Sequence, residues 1–276
     1  MISRKFRLKG SIANANWALL AFAAAAMCAS MHCGAFELTH RWSFNGDYAD
    51  SIGGSDGVVV GRADQLSFEA SAFGGQMVKM ASDNTDNDSN NGASLNLGTG
   101  VLGTDDATIE MWAKRNAVRN WARIFDYGPD NSQYLFMSWS RGTTSAADQV
   151  EVKNKFSRLD TMAPYVDGTL YHIVMTFKKN DDGSTTIVWK RRNTVTGVVE
   201  KGDSVTQAGW TLADLASPIF YLGHSQWPSD RDANASYDEV RIYSGIVGDE
   251  QLAANAVLGP DALGTPSPAP TPPLAS

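Results

Sequence analysis

Residues 237–243 read Tyr-Asp-Glu-Val-Arg-Ile-Tyr, and residues 107–112 read Ala-Thr-Ile-Glu-Met-Trp. In the second stretch Ile109 and Met111 share one face, because the side chains of a strand alternate between its two sides. Residues 171–177, Tyr-His-Ile-Val-Met-Thr-Phe, alternate in the same way. These stretches predict β-strands that each turn one apolar face toward a core.

Similar short runs recur through residues 36–258, with Gly, Asn, Asp and Ser between them. They predict strands near residues 37–44, 58–61, 77–81, 93–97, 108–114, 122–127, 134–140, 149–154, 171–178, 185–191, 219–222 and 237–243. A helical pattern occurs at Asp249–Leu258, which has acids in its first turn and Gly259 just past its end. Many short strands with so little helix favour an all-β sandwich or barrel.

The first 35 residues have the pattern of a secretory signal. They contain four bases and no acid, then a short apolar run at residues 17–26, then small residues up to Ala35. The apolar run is too short to cross a bilayer core of about 30 Å as a helix. We expect cleavage near Ala35, which would remove both cysteines, Cys28 and Cys33. The mature protein is then expected outside the cell or at its surface, with no membrane insertion.

The rest of the chain is acidic and of ordinary globular composition. Hydrophobic residues make up 43% of the chain, and its net charge is -7. The four bases at the start leave -11 for the remainder, which argues against a nucleic-acid partner because phosphate backbones would be repelled. Residues 259–276 hold six of the ten prolines and predict a proline-rich linker or tail.

Seven short segments together form a recognisable pattern along the chain. They lie at residues 40–45, 50–57, 107–112, 123–128, 171–177, 221–223 and 237–243. In order and spacing, residues 37–258 resemble a laminin G-like domain of the concanavalin A-like lectin/glucanase superfamily. This resemblance implies a two-sheet antiparallel jelly-roll sandwich, here the domain 36–258, with one short C-terminal helix. It implies function less strongly, because the same fold carries lectins, glycosidases and adhesion modules.

A structural calcium ion is the expected cofactor. Asp238 alternates with apolar residues, so its carboxylate needs a partner on that face. The first acidic loop offers Asp47 and Asp50 together with free carbonyl groups, a donor set that suits calcium. Related jelly rolls often hold calcium between the first loop and the last strand, which implies Asp50 with Asp238. Alternatively, Asp238 accepts backbone N–H bonds or pairs with an arginine. A second acidic run at residues 83–88 is either another calcium site or a solvated loop.

Trp227 is the candidate ligand-binding residue. It lies in a polar loop with Gln226 and Asp232, and an exposed indole in such a loop can stack on a sugar ring. The polar neighbours would then bond the sugar hydroxyls. The alternative is a loop tryptophan that is tucked onto the edge of the sandwich.

Catalytic signals are weak. A retaining glycosidase holds two carboxylates about 5–5.5 Å apart, but Glu110 has no second acid beside it on its strand. Asp238 and Glu239 are adjacent, so they should point to opposite faces. The histidines lack metal-ligand spacing, and His172 is expected to be packed or on a strand surface.

The expected function is therefore non-catalytic binding of an extracellular or cell-surface glycan through loops on a rigid scaffold. One alternative is a structural or adhesion protein that binds cell-surface proteins, which predicts an exposed apolar patch. Another is a divergent glycosidase, which predicts two acids that converge in a groove. The ligand and the oligomeric state stay open at this point.

Overall fold

A computed structural model of the protein describes residues 36–82, 92–141, 149–157, 163–202 and 204–264. These residues belong to one compact unit, Gly34–Ser276, and the other unit is Met1–Cys33. The predicted signal at 1–35, the acidic run at 83–88 and the tail from 265 to 276 lie outside the described residues.

The described residues form sixteen strands, one α-helix and two 3-10 turns. In chain order the strands and the helix are β1 (Glu37–Trp42), β2 (Val58–Gly61), β3 (Leu66–Ala70), β4 (Gln76–Ala81), β5 (Ala93–Thr99), β6 (Ala107–Ala117), β7 (Arg123–Asp130), β8 (Gln133–Ser138), β9 (Gln149–Val152), β10 (Lys155–Ser157), β11 (Leu170–Lys179), β12 (Thr185–Asn193), β13 (Val199–Lys201), β14 (Val205–Gln207), β15 (Ile219–Leu222), β16 (Asn234–Ser244) and α1 (Asp249–Leu258).

Two antiparallel sheets contain these strands. The nine-stranded sheet has the order β13-β12-β11-β6-β16-β4-β3, with β1 also paired to β16 and β14 paired to β12. The seven-stranded sheet has the order β10-β9-β8-β7-β15-β5-β2. Neighbouring strands are often distant in sequence, as in a jelly roll, where successive strands cross between sheets. The predicted all-β, two-sheet sandwich with one C-terminal helix is confirmed.

The core lies between the two sheets, on the apolar faces that the alternation predicts. Ile109 and Met111 of β6 face inward and lie beside Ile242 and Val240 of β16. The largest side chains of this core are the indoles of Trp42, Trp139, Trp189 and Trp210. Full burial of one large apolar side chain contributes about 1.5–3 kcal/mol, so this layer dominates the stability.

The outer face of the nine-stranded sheet is covered as well, by α1 and by residues 259–264. The Asn255 amide of α1 donates to Glu110 Oε2 at 3.0 Å, and Arg241 donates to the Ala262 carbonyl at 2.9 Å. As a result Glu110, predicted on the polar side of its strand, is 0% exposed. Residues 259–264 were predicted to start an extended tail, but they lie against this sheet because the buried guanidinium needs acceptors.

Within the described part of the chain, no helix is long and apolar enough to cross a membrane.

Candidate functional site

A row of side chains crosses the outer face of the seven-stranded sheet, one from each strand. Their immediate neighbours along the strands, such as Phe125 and Leu135, point into the core, so these side chains point outward. This outer row consists, in register order, of Phe156, Glu151, Phe136, Asp126, Tyr221, Asn96 and Val58. With strands about 4.8 Å apart, its six steps span roughly 29 Å.

The loop of residues 223–233 folds over the middle of the outer row. Gln226 holds it there: its backbone N–H and its Nε2 donate to the two carboxylate oxygens of Asp126 at 3.2 and 3.1 Å. Nε2 also donates to the Gly128 carbonyl at 3.1 Å. Asp126 is thereby fully buried, and burial raises its pKa although the Arg123 charge and the Gln226 bonds oppose the shift. Gln226, predicted to bind ligand, uses its side-chain N–H groups to anchor the loop.

Arg123 fastens the same loop from the sheet side. Its NH2 donates to Asp230 Oδ2 at 2.6 Å, and Ser225 donates to the same oxygen at 2.9 Å. The guanidinium lies 3.8 Å from the ring centre of Phe136, in cation–π geometry. The charge is thus neutralised by acids and covered by an aromatic ring, which rigidifies the loop.

Trp227 lies on this platform. Its ring stands edge-on to Tyr134, at 4.5 Å and 80°, and to Phe136, at 5.6 Å and 81°. The Arg123 guanidinium is 5.2 Å from the indole. Part of the indole stays accessible, so the residue is neither fully exposed nor buried in the core. This geometry lies between the two sequence interpretations, since Trp227 packs on the sandwich and still presents surface.

Asp232 plays a different part from the one predicted. It is 2% exposed, and its Oδ2 accepts a bond from the Gly92 N–H at 2.8 Å. Its Oδ1 lies 2.8 Å from His224 Nδ1, which fixes that ring. His224 in turn stands 5.0 Å from the ring of Tyr221 in the outer row. Of the predicted ligand residues, Trp227 and Gln226 are partly accessible, whereas Asp232 is buried and positions His224.

Polar groups missed by the sequence reasoning lie on the other side of Trp227. The Tyr134 hydroxyl donates to Glu151 Oε1 at 2.6 Å, and Gln149 Nε2 donates to Glu151 Oε2 at 2.5 Å. Burial, and then the bond to Glu151, raises the pKa of Tyr134 to about 12, so this hydroxyl is a donor at neutral pH. The sequence signal for these residues is the alternation within β8 and β9, which places their side chains on the outer face.

The predicted calcium ligands do not converge. Asp50 accepts four backbone N–H groups, from Arg41, Ile52, Gly53 and Ser55, at 2.9–3.1 Å. His40 Nδ1 lies 2.7 Å from Asp50 Oδ2. Burial opposes ionisation of Asp50, but these bonds outweigh it and lower its pKa to about 2. With every oxygen occupied, Asp50 is a structural acceptor that fixes the first loop and does not fit a metal site.

Asp238 and Asp47 are separate features. A bulge in the pairing of β16 with β6 places Asp238 between Tyr237 and Glu239, where it is fully buried. Its Oδ2 accepts a bond from Ser71, and its Oδ1 has no partner among the described residues. Burial raises its pKa to about 7 although the Ser71 bond opposes this.

Asp47 is exposed and accepts a bond from the Ala49 N–H at 3.0 Å. The described residues contain no group of three His, Cys, Asp or Glu side chains that could hold a metal ion. Calcium binding itself stays a prediction.

A buried charged cluster lies on the other sheet, beneath α1. Arg241 bridges two acids: its NH1 lies 3.4 Å from Glu110 Oε2, and its Nε contacts Glu239 Oε1. His172 Nε2 lies 2.8 Å from Glu110 Oε1, which confirms a packed histidine. Tyr243 also donates to Glu110, at 2.8 Å. The two acids are thus held apart by an arginine in a closed layer, which is not the open pair that glycoside hydrolysis needs.

Comparisons with known proteins bear on this site through the fold. The family model for the concanavalin A-like lectin/glucanases superfamily matches residues 87–253. No curated protein sequence matches the chain significantly. Among solved structures, the chain is similar to domain 4 of AbnA, a GH43 extracellular arabinanase from Geobacillus stearothermophilus, in complex with arabinotriose. That match has a TM-score of 0.59 and 17% identity over 79% of this chain and 98% of the other.

The CBM40 of Ruminococcus gnavus IT-sialidase, bound to α2,3-sialyllactose, matches with a TM-score of 0.44 and 12% identity. The match covers 56% of this chain and 83% of that one. At 17% identity, the similarity to the AbnA domain shows the fold alone.

Proposed function

Because the chain belongs to the concanavalin A-like lectin/glucanases superfamily, as a laminin G-like member, we propose that it is a non-catalytic module that binds an extracellular glycan. The binding surface is the outer face of the seven-stranded sheet, and Trp227 is its stacking platform. The observation that carries this proposal is the half-buried indole of Trp227, braced by Tyr134 and Phe136 on the outer face of the seven-stranded sheet. An extracellular location rests on the predicted signal at residues 1–35.

Rigid presentation of the indole favours affinity. A side chain that is already fixed by packing loses little conformational entropy when a ligand binds, so more of the contact energy appears as affinity. Trp227 is fixed by two aromatic edges, and its loop is fixed by Gln226 and Arg123. A sugar ring stacked on the free part of the indole would bury apolar C–H groups at small ordering cost.

The groups around Trp227 are of the kind that bond sugar hydroxyls. On one side is His224, whose Nδ1 is bound to Asp232 and whose side chain is 18% exposed. On the other side lies Glu151, within the outer row and bonded by Tyr134. A few oriented polar groups around an aromatic surface give a pocket its specificity. The similarity to the AbnA domain, whose structure contains arabinotriose, adds support for a sugar as ligand.

The state of the nearby acids favours binding over hydrolysis. Asp126 is buried and bound to Arg123 and Gln226, and Asp230 is bound to Arg123 and Ser225. A general acid or nucleophile needs an oxygen that can reach the glycosidic bond. Both carboxylates instead use their oxygens as hydrogen-bond acceptors for the groups that hold the loop.

One observation favours the second candidate, adhesion to other proteins. The hairpin of β12 and β13 exposes Val195, Val198 and Val199, with 81%, 57% and 55% of their surface accessible. Adjacent exposed valines form the apolar patch that such a function predicts. The patch lies on the nine-stranded sheet, so its role in adhesion can be tested independently of Trp227.

The test is a panel of neutral polysaccharides presented to the full protein, with Trp227→Ala and Phe73→Ala as variants. Phe73 is an exposed aromatic, 41% accessible, in the turn before β4 of the other sheet, and is the matched control. We expect saturable binding that Trp227→Ala weakens roughly tenfold or more and Phe73→Ala leaves unchanged. A folded protein that binds no glycan, or binds one equally well without Trp227, would contradict the proposal.

A further inference from the structure

A second candidate site lies on the other sheet, in a cleft between α1 and the strands β11 to β13. The cleft encloses about 70 Å³. It is lined by His172, Lys190, Arg191, Arg192 and Val199 from the sheet and by Asp249, Leu252, Ala253 and Ala256 from the helix, so one carboxylate shares the wall with the bases. We call it the cationic cleft.

The local charge of this region opposes that of the whole chain. Between Lys178 and Lys201 the sequence holds six basic and three acidic residues, whereas the chain carries a net charge of -7. The register brings the bases together on the outer face. Lys190 pairs with Lys201, and Arg192 pairs with His172 on its other side. Like charges directly opposite one another destabilise a sheet unless something lies between them.

Acids balance only half of these six bases, since Lys179 pairs with Asp105, Lys190 with Asp249 and Arg191 with Glu200. Lys190 Nζ bonds Asp249 at 2.6 Å, at the start of α1. Arg192 and Lys201 make no ion pair with any described residue, although Arg192 is half-buried in the cleft wall. A guanidinium held in a cleft without an acceptor is a ready partner for a planar oxyanion, because its N–H groups form a fixed fork.

His172 adds a built polar element to the same cleft. The residue is 4% exposed, and its Nε2 is held by Glu110 at 2.8 Å. Its Nδ1 has no partner among the described residues. The anchored ring therefore forms a rigid part of the cleft wall.

We propose that the cationic cleft binds the oxyanion of an acidic polysaccharide, either a uronate carboxylate or a sulfate ester. Arg192 and Lys190 would bind the oxygens, and Val199 with Leu252 would cover the apolar edge of the sugar. The cleft volume suits one such group at a time. The choice of a polysaccharide as carrier rests on the proposed glycan-binding function, whereas the oxyanion site rests on the cleft alone.

The test is calorimetric titration of the full protein with polygalacturonate, dextran sulfate and neutral dextran. The variants are Arg192→Gln and the control Lys178→Gln, which removes the same charge from an exposed position at the far end of β11. We expect one or both anionic glycans to bind and neutral dextran not to bind this cleft. The glycan that binds more tightly identifies the preferred group, a carboxylate for polygalacturonate or a sulfate for dextran sulfate. Arg192→Gln should weaken the binding roughly tenfold and Lys178→Gln by less than about twofold.

Several results would overturn the proposal. These are no binding of either anionic glycan, equal binding by Arg192→Gln, or equal losses in both variants, which would indicate only general charge attraction. Binding of polyglutamate but of neither glycan would refute the polysaccharide as carrier. Trp227→Ala should leave anionic binding intact, so failure of the cleft and failure of the Trp227 site are distinguishable.

Discussion

Replacing Asp50 by Asn should destabilise the protein without any involvement of calcium. Asp50 has a fully buried side chain that accepts five hydrogen bonds, three on Oδ1 and two on Oδ2. An amide can keep its oxygen toward the three N–H groups, but its NH2 group then opposes the Ser55 N–H and forces His40 to change its hydrogen bond. The variant therefore loses acceptors where donors remain buried.

The magnitude follows from the same contacts. The pKa of Asp50 is lowered from 3.8 to about 2. At about 1.4 kcal/mol per pKa unit, this corresponds to about 2.5 kcal/mol of stability from the ionised form. An unmet buried donor adds to the cost, so we expect a loss of about 2–3 kcal/mol, or roughly 5–10 °C in Tm.

The sign of the pH dependence is fixed by the lowered pKa. The contribution of Asp50 is fully present above 3.8 and disappears as the pH falls through about 2. The difference in stability between the natural protein and Asp50→Asn should therefore shrink as the pH falls from 5 toward 2.

Urea unfolding of both proteins, with calcium and with chelator, measures this. Asp47→Asn is the control, because Asp47 was predicted as a calcium ligand too but is exposed and makes one bond. We expect Asp47→Asn to unfold like the natural protein. An unchanged free energy of unfolding in Asp50→Asn, or a calcium-dependent stability that this variant abolishes, would refute the structural role of Asp50.

Two further predictions concern the loop anchor and the buried acid of β16. Gln226→Ala should weaken glycan binding roughly tenfold, because the Trp227 loop loses its side-chain bonds to Asp126. The control Gln207→Ala, on the other sheet, should leave glycan binding unchanged. Calorimetric titration measures the affinity of both variants. Asp238→Asn should raise the free energy of unfolding at pH 8 by on the order of 2 kcal/mol, since a pKa raised to about 7 means that ionised Asp238 costs stability above that pH. That gain should fade gradually as the pH falls from 7 toward 4, because the cost builds up between the ordinary pKa of 3.8 and about 7, and a gain of undiminished size at pH 4 would contradict it.

Alternation in the sequence predicted most of the fold because burial enforces it. Twelve of the sixteen described strands overlap the predicted runs. The four that do not, β3, β10, β13 and β14, have three to five residues and lie at or near sheet edges. Strands that short have one face partly open to solvent, so their sequences carry little periodicity.

The details of the candidate sites depended on features that a single sequence does not display. The bulge at Asp238 shifts the alternation by one residue, so that Tyr237 and Val240 both face the core. Asp126 and Arg123, which hold the Trp227 loop, are about 100 residues away from it along the chain. Trp227 itself is proposed from the sequence because a large indole in a polar loop is unusual. Its partners were not, because long-range packing decides them.

The most direct test of the Trp227 site is its indole N–H signal in an NMR titration with whichever neutral glycan binds, assigned through Trp227→Phe. The indole of Trp42 is the internal control, since it is fully buried and donates to the Ser55 carbonyl at 2.7 Å. We expect the Trp227 signal to shift and saturate with the glycan while the Trp42 signal stays in place. Saturable binding that leaves the Trp227 signal unmoved would contradict it.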